Sequence, residues 1–265
     1  MFFFVKAIRH LVINFQRRLF SIPRSKYSEV LSFTQATQKF GDRNELYAYM
    51  HHFLQHMAPK QIQDHRRYFS QNKRGFGEDA LHAMWWMLFR EFKPALVLEI
   101  GVYRGQVVSL WGLISKLNEL NCEIHGISPF SPAGDQVSNY LADLDYLQDT
   151  LESNRLFDLP DPHFLNAYST DATAIEYIKS RQWDLIYIDG NHDYTVVLAD
   201  YILCKSALAK GGLLIMDDSS LYTKFRPPAF SFSGHPGPSR VLQEHAMKEM
   251  HFLGGIGHNN VFLKS

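Results

Sequence analysis

An α/β fold built on a doubly wound, mostly parallel sheet is predicted by three features of the sequence. From residue 95 onward, short apolar runs alternate with helical patterns, the arrangement that covers both faces of one sheet with helices. The first run, Ala95-Leu96-Val97-Leu98-Glu99-Ile100, opens into a glycine-bearing turn, Gly101-Val102-Tyr103-Arg104-Gly105. Two later runs end in carboxylates, at Asp189 and at Asp217-Asp218. Ligands of open α/β sheets sit beyond the carboxyl ends of the strands, so these polar ends mark the functional rim.

The 265 residues suffice for one α/β domain, expected over 75–265, with an N-terminal helical extension over 1–74. Lys and Arg total 27 against 27 Asp and Glu, which provides no overall basic field, and no nucleic-acid partner is expected. The two cysteines, Cys122 and Cys204, lie in apolar segments outside any CxxC pair, as in a reducing cytoplasm.

At the N-terminus, Lys6, Arg9, Arg17 and Arg18 interrupt an apolar run. It therefore falls short of the roughly 20 uninterrupted residues of a membrane span. No small-residue cleavage site precedes Pro23, so a secretory signal is a poor match. Phe4, Ile8, Leu11, Phe15 and Leu19 recur at helical spacing, which predicts an amphipathic helix. It docks on its own domain or a second copy, or lies on a membrane surface. The expected location is cytoplasmic, with peripheral membrane contact or homo-oligomer contact through residues 1–24 both open.

Residues 27–57 are helical in pattern but broken at Gly41, and Asp42 with Glu45 is expected to form a capping box for a helix stopped by Pro59. His51, His52 and His56 have no acidic or cysteine partner nearby and read as exposed histidines rather than metal ligands. Residues 60–74, polar and basic, read as a linker. Gly75-Phe76-Gly77-Glu78 introduces an apolar helix over 79–92 that ends at Lys93-Pro94. After the first strand the pattern predicts a helix to about residue 118, strands at 122–127, 163–168 and 184–188, and helices at 137–154, 171–180 and 194–209. A loop at 128–134, a helix at 239–249 and a closing hairpin around Gly254-Gly255 and Gly257 complete the expectation. Residues 226–238 are too rich in Pro and Gly for regular structure and follow the acidic rim, as a lid or substrate-binding segment does.

The turn Glu99-x-Gly101-x-x-x-Gly105 is a nucleoside or dinucleotide signal, since glycine admits close backbone approach. Tyr103 replaces the middle glycine of the diphosphate fingerprint, and an acid at 99 suits a ligand bearing an amino group, which points away from NAD. Asp189, Asp217 and Asp218 form a donor set for a hard, oxygen-seeking cation, and His192 is a base within the same segment. Simpler readings stand beside these. The paired aspartates can cap a turn, His192 can be an ordinary loop residue with Asp193 as a competing base, and Glu99 can pair with Arg104.

The blocks 97–105, 184–194 and 211–218, in this order and at these separations, resemble class I S-adenosylmethionine-dependent methyltransferases. Among these they are most similar to metal-dependent small-molecule and sugar O-methyltransferases of the macrocin type. The resemblance covers residues 75–265 and implies a Rossmann-like sheet with a C-terminal antiparallel hairpin. It implies that Glu99, Gly101 and Gly105 contact the methionine end of S-adenosylmethionine, with Tyr103, Ser128 and Ser169 lining the rest of the cofactor site. Asp189, Asp217 and Asp218 would hold Mg²⁺, and His192 would deprotonate a small hydroxylated acceptor, sugars included. The second strand departs from the pattern: Ser128 stands where such enzymes place a ribose-gripping acid. Transfer of a methyl group to a hydroxyl needs in-line positioning, a cation that lowers the hydroxyl pKa and a base near neutral pH, all of which this set supplies. The alternatives are a metal-independent transferase of the same fold and a nonenzymatic scaffold with a vestigial pocket.

Overall fold

The computed structural model describes residues 2–132 and 140–265. Seven strands form one sheet: β1 (Leu96–Ile100), β2 (Glu123–Ser128), β3 (His163–Asn166), β4 (Trp183–Ile188), β5 (Leu208–Met216), β6 (His251–Ile256) and β7 (Asn259–Leu263). Their order is β3-β2-β1-β4-β5-β7-β6. The first five run parallel, and β7 enters antiparallel between β5 and β6. The doubly wound sheet with its C-terminal hairpin is thus the observed architecture.

Side-chain alternation explains why these runs are apolar throughout. Val97, Leu185, Tyr187, Leu213 and Ile215 enter the core on one face, and Leu98, Ile100, Ile186, Ile188, Leu214 and Met216 the core on the other. A strand covered on both faces needs apolar residues at every position. Helices α6 (Gln106–Leu117), α7 (Tyr146–Leu156), α8 (Ala172–Lys179) and α9 (Tyr194–Ala207) make the crossovers. Strand order reverses between β1 and β4, which opens a crevice beyond Ile100 and Ile188.

The N-terminal part contains α1 (Phe2–Phe20), α2 (Phe33–Lys39), α3 (Arg43–His56), α4 (Lys60–Phe69) and α5 (Asp79–Phe92). Residues of α2, α3 and α5 pack in the same cluster as Val97, Leu185 and Val261 of the sheet. Residues 60–69, expected as a linker, are the helix α4. Ile62, His65 and Phe69 face the interior at helical spacing, Arg66 is buried against Asp79, and Lys60 and Arg67 lie outside. Asp42 accepts from the Asn44 and Glu45 amides as an N-cap, but Glu45 turns instead to Lys26 and Tyr27, so only half of the expected capping box forms. His51 and His52, expected exposed, are buried. His51 meets the Ser21 hydroxyl at 2.8 Å and His52 accepts the Arg24 amide at 3.2 Å, because the end of α1 and the turn after it cover α3.

On α1, Ile13, Arg17 and Phe20 are half-buried while Leu11, Val12, Phe15 and Leu19 are exposed; the side chains of Phe4 and Ile8 lie outside the described residues. The helix expected over 137–154 begins at Tyr146, where Asp145 accepts the Gln148 amide; residues 137–139 lie outside the described residues. Gly254 and Gly255, expected in the hairpin turn, belong to β6. A Cβ at Gly255 would sit 1.9 Å from the Arg43 guanidinium, which bonds the carbonyls of Gly257 and Asn259. The turn itself is Gly257-His258.

Candidate active site

The bend after β1 is built by glycine. Gly101 has φ +98°, and a Cβ there would lie 2.0 Å from the Asp189 carbonyl oxygen, so only glycine lets the ends of β1 and β4 meet. The Asp189 amide donates to Ile100 O at 2.8 Å and locks the two strand ends together. Gly105, φ +76°, precedes α6 and faces the Thr150 methyl. Arg104 makes a bidentate pair with Asp149, at 2.7 Å for each contact, and does not pair with Glu99. That leaves Glu99 Oε2 buried with no hydrogen-bond partner. Burial, reinforced by the charge of Asp217, pushes the Glu99 carboxyl up to about 8.

Beyond the strand ends lies a cavity of about 760 Å³, within the size range of small-molecule sites. Nine expected site residues line it: Glu99, Gly101, Tyr103, Ser128, Ser169, Asp189, His192, Asp217 and Asp218. Gly105 supports the turn from behind. Ser128 donates to Val102 O at 2.9 Å and keeps only acceptor capacity for a ligand. Ser169 donates to Asp200 at 3.1 Å, and burial pushes the Asp200 carboxyl up to about 6. The Tyr103 ring packs 5.1 Å from Phe76 and 5.4 Å from Tyr146.

The acids converge. Asp189 is half-buried at the cavity wall, and desolvation together with neighbouring Asp217 pushes its carboxyl well above the usual range. His192 Nε2 lies 2.9 Å from Asp218 Oδ2, with His235 Nε2 at 3.6 Å from the same oxygen. Asp217 and Asp218 therefore face imidazoles rather than capping the next turn. Asp193 is exposed, outside the cavity, while His192 is inside it.

His258 was not foreseen. It is buried at the β6–β7 turn, with Nδ1 2.8 Å from Asp217 Oδ1 and 3.0 Å from Asp218 Oδ1, and Nε2 3.6 Å from Glu78 Oε1. Burial alone would lower its pKa, but Asp217, Asp218 and Glu78 outweigh that and raise it well above the ordinary value. Burial would likewise raise Asp218, yet contacts with His192 and His258 hold it well below the usual carboxylate range. Nδ1 carries one hydrogen and Asp217 is the nearer acceptor, which leaves Asp218 Oδ1 buried and without a hydrogen bond. Glu78 is fixed in part by Tyr47, whose hydroxyl donates to it at 2.6 Å. No local sequence signal marks either residue: His258 is followed by Asn259-Asn260, and Glu78 lies between Lys73-Arg74 and Asp79.

This donor set fits a hard divalent ion. Asp217, Asp218 and His258 offer ligand atoms within 4.8 Å of one another, as do His192, Asp218 and His235. The buried Oδ1 of Asp218 has no hydrogen-bond partner among the described side chains, which leaves negative charge there for a cation to satisfy.

Residues 98–219, from within β1 to just past Asp218, match the family model described as a methyltransferase domain. The likeness to that family spans 122 of the 265 residues, just under half of the chain. Its sheet is also found in an S-adenosylhomocysteine-bound methyltransferase from Podospora anserina, at 15% identity and TM-score 0.55, covering 89% of this chain and 98% of that one. An O-methyltransferase from Bacillus cereus, solved with S-adenosylhomocysteine, aligns at 12% identity and TM-score 0.52 over 83% of this chain and 99% of its own. CalS11, a TDP-rhamnose 3'-O-methyltransferase of calicheamicin biosynthesis, aligns at 15% identity and TM-score 0.52 over 87% and 93%. These likenesses establish the fold. A search of curated proteins finds no match.

The segment after β5, expected as a lid, is pinned at its base. The His235 amide donates to Asp218 O at 2.7 Å, and Ser220 N to Ser233 O at 3.0 Å. Cβ atoms at Gly234 and Gly237 would lie 2.1 Å from Asp218 O and 2.0 Å from His192 O, so the segment runs directly over the acidic rim. Asn44 of α3 accepts the Arg226 amide at 2.7 Å and ties the segment's outer part to the N-terminal helices. Phe230 and Phe232 line the cavity from this side.

Proposed function

We propose that the protein is an S-adenosylmethionine-dependent O-methyltransferase acting on a hydroxyl of a small molecule, with Mg²⁺ or a similar ion at the acidic rim. The observation that carries this reading is the shared cavity: the glycine bend with Glu99, whose Oε2 has no hydrogen-bond partner, adjoins Asp189, Asp217, Asp218 and His192. When bound, the cofactor supplies an electrophilic methyl group and the ion lowers the acceptor hydroxyl pKa.

The chain's own residues do the rest. Glu99 faces the amino group of the methionine end, and Gly101 admits the ligand against the backbone. With Nε2–H donated to Asp218, His192 takes the acceptor proton at Nδ1, held in that tautomer by the carboxylate. Asp189, Asp217 and Asp218 hold the ion, with His258 behind them. Phe230 and Phe232 exclude water from the acceptor side. A sugar acceptor of the macrocin type is the subgroup we favour, on the three acids with His192. The similar fold of the TDP-rhamnose 3'-O-methyltransferase supports this reading.

One observation favours a second reading. A protonated His258 between Asp217 and Asp218 already supplies positive charge there, which is what a metal-independent transferase needs. Titration with S-adenosylhomocysteine, followed by turnover on a panel of sugar and phenolic acceptors with and without chelator, separates the two. The expected result is binding, with turnover that chelator abolishes and Mg²⁺ restores. His192→Ala is expected to lower kcat by roughly 100-fold or more and leave cofactor affinity unchanged. Turnover indifferent to chelator favours the His258 reading, and no binding of S-adenosylhomocysteine overturns both.

A further inference from the structure

The outer face of α1 has no partner within the described residues. Leu11, Val12, Phe15 and Leu19 are 68%, 48%, 62% and 47% exposed, and Ile22 just beyond the helix is 51% exposed. At 100° per residue, 11, 15 and 19 fall within one stripe with 12 at its edge, and Ile22 follows in the turn after the helix. The protein-facing side is a different one. There Arg17 lies 5.2 Å over the Phe230 ring, and Phe20 packs 5.4 Å from Phe230 and 5.1 Å from His51. The helix is therefore held by one apolar face while it presents a second to solvent.

Charge is sorted along the chain in the same way. The first 28 residues contain Lys6, Arg9, Arg17, Arg18, Arg24 and Lys26 and no acid, which leaves 21 Lys and Arg against 27 Asp and Glu in the remainder. A basic segment with an exposed apolar stripe on an otherwise acidic protein matches an anionic lipid surface. A second copy is the poorer fit, because apposed α1 helices would bring two such acid-free segments together. No helix among the described residues is long and apolar enough to cross a membrane.

We propose that α1 docks in the plane of an anionic membrane surface, with Leu11, Phe15, Leu19 and Ile22 inserted and the basic residues at the headgroups. Arg17 also lines the cavity, so docking sets the mouth of the site beside the bilayer. The proposal does not depend on the methyl-transfer reading.

The test is co-sedimentation of the full chain with phosphatidylcholine vesicles, with and without phosphatidylserine, at low and high salt. Binding is expected to need phosphatidylserine and to weaken as salt rises. Leu11→Glu with Phe15→Glu is expected to lower vesicle affinity by roughly tenfold or more. Both side chains are exposed, so the melting temperature and the S-adenosylhomocysteine affinity are expected to stay unchanged. A wild-type chain that ignores anionic vesicles, or a double variant that binds them equally well, overturns the proposal. So does a dimer that the substitutions disperse in a chain without vesicle binding, which would put a second copy on this face. Failure to bind S-adenosylhomocysteine would sink the transferase reading and leave the vesicle result standing.

Discussion

His258 Nδ1 lies 2.8 Å from Asp217 Oδ1, a contact made across 41 residues by the turn between the last two strands. It joins the C-terminal hairpin to the acidic rim, where one imidazolium offsets part of the charge of Asp217, Asp218 and Glu78.

Replacing that imidazolium leaves buried acids uncompensated. His258→Gln is expected to cost about 3–5 kcal/mol, the usual penalty for breaking a buried ion pair. If the rim holds a divalent ion, excess Mg²⁺ is expected to raise the melting temperature of the variant more than that of the parent, because the ion replaces the lost charge. Thermal melts of both proteins, with and without Mg²⁺, check this; equal responses would remove the rim as the ion's site.

Glu99 predicts proton release on cofactor binding. With its carboxyl pushed up to about 8, it is mostly protonated at neutral pH in the free protein. A cationic amino group favours the carboxylate, so binding near pH 7 is expected to expel close to one proton, and binding above pH 9 almost none. Calorimetry of S-adenosylhomocysteine in phosphate and in Tris reads this directly from the buffer dependence of the heat. Glu99→Gln is expected to weaken binding by roughly tenfold or more and to erase the proton release. It is not expected to lower the melting temperature, since it removes an unpaired buried acid.

Asp200 gives a stability signature. Its carboxyl is raised from 3.8 to about 6 by burial, only partly opposed by the hydrogen bond from Ser169. The folded state then binds more protons than the unfolded one, so stability falls as pH rises from 3.8 to about 6 and is flat above. The full difference is about 3 kcal/mol. Asp200→Asn keeps an acceptor for Ser169 and removes the titration. It is expected to stabilise the protein at pH 7 and to be neutral near pH 4, as measured by urea unfolding at both.

Gly101→Ala and Gly105→Ala are expected to differ in kind. At 101 the added methyl meets backbone, 2.0 Å from the Asp189 carbonyl, and has no way to yield. That variant should lose S-adenosylhomocysteine binding and most of its stability. At 105 the obstacle is the Thr150 methyl at 2.5 Å, so Thr150→Ser should recover part of the loss. The remaining deficit, about 1 kcal/mol or more, is the left-handed backbone of a non-glycine residue. Chemical denaturation of the two single variants and the double variant decides this.

The sheet was legible because parallel strands buried on both faces have no room for polar residues until they end. Leu185 to Ile188 and Leu213 to Met216 therefore ran straight into their acids, and Glu99, buried inside β1, is the exception. Helix α4 was hidden because Ile62, His65 and Phe69 are thinly spaced among polar and basic residues, and charge masked a short buried stripe. His51 and His52 were misjudged because their burial depends on α1 and the turn after it folding back over α3. His258 was unreadable for a related reason: its role exists only once β7 pairs with β5, and the acids it meets, Asp217, Asp218 and Glu78, are 40 or more residues away in the chain.

The segment over the acidic rim runs against the backbone of Asp218 and His192 at Gly234 and Gly237. In the proposed reaction an oversized acceptor could not push that segment aside without tilting Asp218 and His192. Misfit compounds should then still occupy the pocket yet turn over slowly, so that selectivity is registered in kcat more than in KM.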